Sequence, residues 1–242
     1  MTFQVLWNLD GDPVAVSRTS SVVRLPPGVL APPAVYLKRY WYPGCRDRLK
    51  GSLRNTFLGP SRAEREWFYL LSLWRRHLSP LRPVAFGEDR RLGWLRRAFI
   101  ATEEIPGSRS ALEVWAGASD RDRAALLVAL GRWIGSLHDA GFRHGGLRLR
   151  NVLVLPDASL AAIDPPKARW FAGPIRARRP AWSELRAVLE EVAPRASLRE
   201  VLGFWRAYLG RVLPGPNRRQ RLRTLLRKAS HAAALSGRPC RG

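Results

Sequence analysis

The chain has 242 residues, 46% of them hydrophobic and ten of them Trp, enough for a sizeable core in one large domain or two small lobes; a disordered tail and a mini-scaffold are both excluded. Lys and Arg number 42 against 19 Asp and Glu, a formal net charge of +23, which predicts an anionic partner. The two cysteines, Cys45 and Cys240, are too few for a disulfide scaffold or a Cys-rich zinc site and fit a reducing cytosol. Residues 1–10 carry no basic segment ahead of an apolar stretch, so no secretory signal is expected. The longest strongly apolar run, 124–130, falls far short of the roughly 20 residues that cross a bilayer.

Along residues 1–104 short β-like runs alternate with Pro/Gly punctuation and one helix. Strands are predicted over 22–25 and 35–40, separated by Pro26-Pro27-Gly28 and Pro32-Pro33, with two more over 84–87 and 98–102. Between them, over 61–78, Trp67, Leu70, Leu71, Trp74 and Leu78 recur at helical spacing. Ser61 followed by Glu64 matches a capping box at its start. After Ile105-Pro106-Gly107 the character turns helical. A helix over 120–140 places Leu126, Leu127, Leu130, Trp133, Ile134 and Leu137 on one stripe, with Gly141 as its C-terminal cap. Two short strands follow over 152–155 and 160–163, then helices over 182–192, 198–213 and 218–235, the last strongly basic. The expected architecture is α+β: a strand-rich N-terminal lobe, 1–104, and a helical C-terminal lobe, 105–242.

The most informative segment is 142–151. Its Phe142-Arg143-His144-Gly145-Gly146-Leu147-Arg148-Leu149-Arg150-Asn151 has the frame of a kinase catalytic loop, H-x-D-L-x-x-x-N, with His144, Leu147 and Asn151 in register. Asp164, at the end of the second short strand, stands where the magnesium-binding Asp of a kinase belongs. Lys38, in Val35-Tyr36-Leu37-Lys38, stands where a strand lysine pairs the ATP phosphates, and Glu66 in the following helix is placed to hold it. The plain readings of these residues are an edge lysine, a structural histidine and turn residues; four pieces in kinase order favour the nucleotide reading. Glu64 has a local explanation as the capping-box partner, which leaves Glu66 for the ion pair.

Val35-Tyr36-Leu37-Lys38-Arg39-Tyr40, the helix opening Ser61-Arg62-Ala63-Glu64-Arg65-Glu66-Trp67, Ala101-Thr102-Glu103-Glu104 and Leu137-His138-Asp139-Ala140-Gly141-Phe142 resemble the lipopolysaccharide kinase family, the Kdo and heptose kinases and their InaA-like relatives. The resemblance runs from about residue 22 to about residue 169. It implies a two-lobed protein-kinase-like fold, ATP with magnesium, and phosphoryl transfer to a sugar hydroxyl of the lipid A–core oligosaccharide at the cytoplasmic face. It also implies nucleotide-binding positions at Lys38, Glu66, Ser20 and Glu104 and metal positions at Asn151 and Asp164. Ser20 lies in Ser17-Arg18-Thr19-Ser20-Ser21, where a phosphate-covering loop would stand without its glycines; hydroxyls and backbone N–H groups can do that work.

One departure outweighs the rest: the family's catalytic Asp, two residues after the histidine, is Gly146 here. That carboxylate accepts the acceptor hydroxyl's proton, so its loss puts catalysis itself in question. Asp139 is the nearest alternative carboxylate. The chain is therefore expected to be a slow kinase or a pseudokinase that binds ATP or glycolipid as a regulator or scaffold. The basic segments, Arg46 to Arg54, Arg169 to Arg179 and Arg218 to Lys228, are read as a surface for anionic glycolipid and the inner membrane. Nucleic acid is the weaker reading, because no nucleic-acid-binding motif accompanies them.

Overall fold

The computed structural model describes residues 2–42, 59–165, 167–176 and 178–210. Cys45 and the basic residues around it, the last residues of the 198–213 helix, the basic helix expected over 218–235 and Cys240 lie outside the described residues. The chain divides into two compact units: residues 1–108 with 161–167, and residues 109–160 with 168–242.

The first unit is built on five antiparallel strands: β1 (Asp12–Ser17), β2 (Ser20–Leu25), β3 (Val35–Trp41), β4 (Pro83–Arg91) and β5 (Trp94–Glu103), in the order β1-β2-β3-β5-β4. Strand periodicity sorts the side chains of β3. Val35 and Leu37 are buried in a cluster with Leu25, Phe99 and Ala101, which Phe3, Leu6 and Trp7 of the short helix α1 (Phe3–Trp7) pack against. Lys38 and Tyr40 therefore project from the other face. Helix α2 (Arg62–Arg75) follows, and its buried stripe is Ala63, Glu66, Leu70 and Leu73. The expected stripe had Trp74 in it, but Trp74 is 39% exposed: the apolar line is rotated so that a carboxylate, Glu66, occupies an inward position. The helix starts as predicted, with Ser61 Oγ accepting from the Glu64 N–H at 3.0 Å. Reciprocity fails, because the Ser61 N–H goes to Glu88 Oε1 of β4 at 3.0 Å. The partner that completes this cap comes from tertiary structure, which a local motif cannot reveal.

In the second unit, helices α3 (Ala111–Gly117), α4 (Asp120–Asp139), α5 (Arg179–Val192) and α6 (Leu198–Leu209) surround short strands and a 3-10 turn. Leu126, Leu127, Leu130 and Ile134 of α4 form one core with Leu185, Val188 and Val192 of α5 and Phe204, Trp205 and Tyr208 of α6. A Cβ on Gly131 would stand 2.5 Å from the Phe204 carbonyl, so glycine lets α4 and α6 approach. Strand β6 (Arg109–Ser110) pairs with β8 (Val152–Val154), and β7 (Phe142–Arg143) with β10 (Arg169–Trp170). β9 (Leu160–Ala162) carries the chain back into the first unit. The α+β class expected from the sequence is what the structure has.

Candidate nucleotide site and catalytic loop

Three of the predicted residues meet in the first unit. The Lys38 ammonium lies 2.9 Å from Asp164 Oδ1 and 3.4 Å from each carboxylate oxygen of Glu66. Two residues further along the same face, the Tyr40 hydroxyl donates to Glu66 Oε2 at 2.7 Å. Glu66 is only 4% exposed, and burial raises its pKa against the opposing pull of Lys38, with Asp164 pushing the same way as burial. The Tyr40 hydroxyl is pushed well above its ordinary value by burial and then by the Glu66 charge. Asp164 adopts φ +55°, a left-handed conformation that Asp tolerates better than most residues. Its stretch is anchored in the first unit by the Ala162 N–H, which donates to the buried Ser79 Oγ at 3.2 Å.

The other two nucleotide-site candidates sit in local networks. Ser20 belongs to the β1–β2 hairpin turn, where its N–H donates to Ser17 Oγ at 3.1 Å and the two hydroxyls are 2.8 Å apart. Glu104 follows β5, and its carboxylate accepts from Arg24 Nε at 2.9 Å, from Arg24 Nη2 at 2.6 Å and from the Tyr36 hydroxyl at 3.2 Å. The Arg24 bond, followed by that from Tyr36, holds the Glu104 carboxyl below its usual range against some desolvation. Both side chains thus have partners within the sheet.

The predicted catalytic loop follows β7 in the second unit. His144 is buried, 1% exposed, and its backbone N–H donates to Glu184 Oε2 at 3.2 Å, while the Gly145 N–H donates to Glu184 Oε1. Glu184 also meets His138 Nε2 at 3.2 Å, and His138 Nδ1 lies 2.9 Å from the Tyr208 hydroxyl. At the far end of the loop, the Leu149 N–H donates to Glu191 Oε2 at 2.7 Å and Arg148 Nη1 to Glu191 Oε1 at 3.1 Å. Sequence reasoning missed both glutamates. Their signal was available: they lie two helical turns apart on the inward side of α5, beside Leu185, Val188 and Val192, where an acid needs a donor.

Asn151, closing the 3-10 turn Leu149–Asn151, donates from Nδ2 to the Gly146 carbonyl at 2.8 Å. Gly146 itself is exposed, and a Cβ there would meet nothing within 4 Å among the described residues. Asp139 is engaged elsewhere, because its carboxylate pairs with the guanidinium of the buried Arg176, which also donates to the Tyr208 carbonyl. That ion pair gives Asp139 a structural task at the end of α4.

A strand lysine paired with a helix glutamate and an aspartate, and a histidine-led loop closed by an asparagine, are the fixed parts of a kinase. The description of the family that matches residues 29–208 is "Lipopolysaccharide kinase (Kdo/WaaP) family". The chain belongs to that family. A search of the curated proteins gives no significant match. The matched span contains Lys38, Glu66, Glu104, Gly146, Asn151 and Asp164, and leaves Ser20 outside. Kinases of this kind use ATP as phosphoryl donor. Within the first unit the chemistry of the side chains fits magnesium-ATP: Asp164 offers hard oxygen atoms, which suit magnesium, and Lys38 beside it offers a point charge for phosphate. Among the described residues no helix is long and apolar enough to cross a membrane.

Proposed function

We propose that this lipopolysaccharide kinase family member binds magnesium-ATP and transfers phosphate slowly to a Kdo or heptose hydroxyl of the lipopolysaccharide core, at the surface of the inner membrane. The observation that supports the reading is the Lys38 ammonium shared between Glu66 and Asp164. When bound, magnesium-ATP would supply the transferable phosphoryl group and a cation to neutralise charge on its oxygens. Lys38 holds the phosphates, and Glu66, fixed in turn by Tyr40, keeps the lysine extended. Asp164 and, from its place in the loop frame, Asn151 are the oxygen donors to the metal. The acceptor hydroxyl finds no carboxylate at Gly146 to take its proton, a loss of about 10²–10⁴ in rate. The remaining catalytic power of a loose transition state lies in charge neutralisation and positioning. Gly146 also favours a second reading, a pseudokinase that holds ATP or glycolipid as a regulator or scaffold. The net charge of +23 supports an anionic glycolipid and an anionic leaflet as partners in both.

Binding to the folded state alone raises the melting temperature, by about 2.7 kcal/mol of stability at a ligand concentration of about 100 Kd. Magnesium-ATP should therefore raise Tm by several degrees, and Lys38→Ala and Asp164→Ala should each remove the shift. An unchanged Tm for the parent, or an unchanged shift in both variants, refutes the nucleotide site. ADP release in the presence of core oligosaccharide then separates a slow kinase from a regulator.

A further inference from the structure

Strands β4 and β5 meet in a turn within Arg90-Arg91-Leu92-Gly93-Trp94-Leu95-Arg96-Arg97, with Arg91 directly opposite Trp94. Leu92 and Gly93 both have positive φ, 50° and 80°, the pattern of a type I′ turn, where Asn-Gly or Gly-Gly is the favoured pair. A leucine in the first of these positions works against its own turn, since bulky side chains resist the left-handed region. No burial offsets that conflict: Leu92 is 88% exposed, the most exposed of the large hydrophobic side chains among the described residues. Trp94 beside it is 36% exposed.

The base of the hairpin is fastened. Arg90 pairs with Glu88 at 2.6 Å and donates to the Gly59 carbonyl at 2.6 Å. Arg97 pairs with Asp89 at 2.9 Å and lies over the Trp7 ring at 5.2 Å. Arg91 and Arg96 are exposed and make no ion pair among the described residues. An apolar point, an aromatic shoulder and two uncommitted positive charges thus stand on a stiff base. An anionic bilayer matches each of them: acyl chains for the leucine, the interface for the tryptophan, headgroup phosphates for the arginines.

We propose that the β4–β5 hairpin tip is the element that enters the membrane, inserting Leu92 with Trp94, Arg91 and Arg96 at the level of anionic headgroups. This deepens the membrane part of the function proposed above and rests on it. The test is co-sedimentation of the full chain with vesicles of phosphatidylcholine alone or mixed with phosphatidylglycerol, read alongside Tm. The parent should bind the mixed vesicles preferentially. Leu92→Asn, which suits the turn better, should raise Tm by about 2 °C and weaken vesicle binding about tenfold, the loss of one buried leucine. Arg91→Gln with Arg96→Gln should weaken binding to the mixed vesicles and leave Tm unchanged. If Leu92→Asn binds like the parent, the hairpin is not the inserting element although the membrane reading survives. A parent that ignores anionic vesicles overturns both. Loss of binding together with a fall in Tm would make Leu92 structural, and loss of duplex DNA binding instead of lipid binding would make the tip a nucleic-acid contact; either overturns the proposal.

Discussion

Gly146 is the residue on which catalysis turns, and its surroundings make it testable. A Cβ there would meet nothing within 4 Å among the described residues, and its backbone carbonyl is already braced by Asn151 at 2.8 Å. The Cβ of an aspartate can therefore be added without displacing any of the described residues. Gly146→Asp should raise transfer to the core acceptor by about 10²–10⁴-fold and leave magnesium-ATP affinity unchanged, since a general base acts in the transition state rather than on nucleotide binding. Gly146→Ala should stay at the parent rate. ADP release with core oligosaccharide, measured beside nucleotide affinity, checks both. A folded Gly146→Asp protein that binds ATP and remains inert on every core acceptor would establish the regulator reading, whereas robust turnover by the parent would require another base. Asp139 is poorly placed to be one, because the Arg176 guanidinium already holds its carboxylate.

At the scale of elements, what fixes the entry to the catalytic loop is a glycine at the end of α4. Gly141 has φ +82°, and a Cβ there would sit 2.6 Å from the Phe171 carbonyl and 2.8 Å from that of Gly173. These are backbone atoms that cannot swing away. Gly141→Ala should therefore cost about 2 kcal/mol or more, read as a fall in Tm of about 4–8 °C for a chain of this size. Gly146→Ala, with open space at its Cβ, should stay close to the parent, so equal losses in the two variants would refute the close-approach argument. This helix end was legible in the sequence, and so were α2 and α4, because burial on one side writes a 3.6 periodicity into them, and strands β2 to β5, because they are β-like runs among Pro and Gly punctuation. Strand β1 was not legible, since all six of its residues are exposed and no face of it is selected for burial. β6, β7 and β10, two residues each, are defined by their partners rather than by a pattern. α3 had a signal that went unread, the capping box from Ser110 to Glu113. In the site, Lys38, Glu66 and Asp164 could be named from kinase order alone, but the supports of the loop, Glu184 and Glu191, are tertiary contacts from α5.

Across the whole molecule two properties go beyond any one element. Residues 161–167 belong to the same compact unit as Lys38, so Asp164 meets its lysine across 126 positions of sequence; a reading along the chain sees only a strand end after the loop. The other property is charge. Exposed charges attract an anionic surface over a range set by the Debye length, about 10 Å at 0.1 M salt and about 3 Å at 1 M, and each Arg or Lys near a leaflet contributes on the order of 1 kcal/mol. Binding to phosphatidylglycerol-containing vesicles should therefore weaken steeply as salt rises from about 0.05 M to about 1 M, while the small binding to phosphatidylcholine vesicles should hardly respond. The remnant at high salt should be the part carried by apolar insertion, and it should fall about tenfold in Leu92→Asn. Co-sedimentation across that salt range, with duplex DNA as competitor, measures all three. Salt-independent binding to anionic vesicles would mean that the net charge of +23 plays no part in membrane contact. Displacement by DNA at concentrations that leave lipid in excess would mean that the basic surface serves a nucleic acid instead.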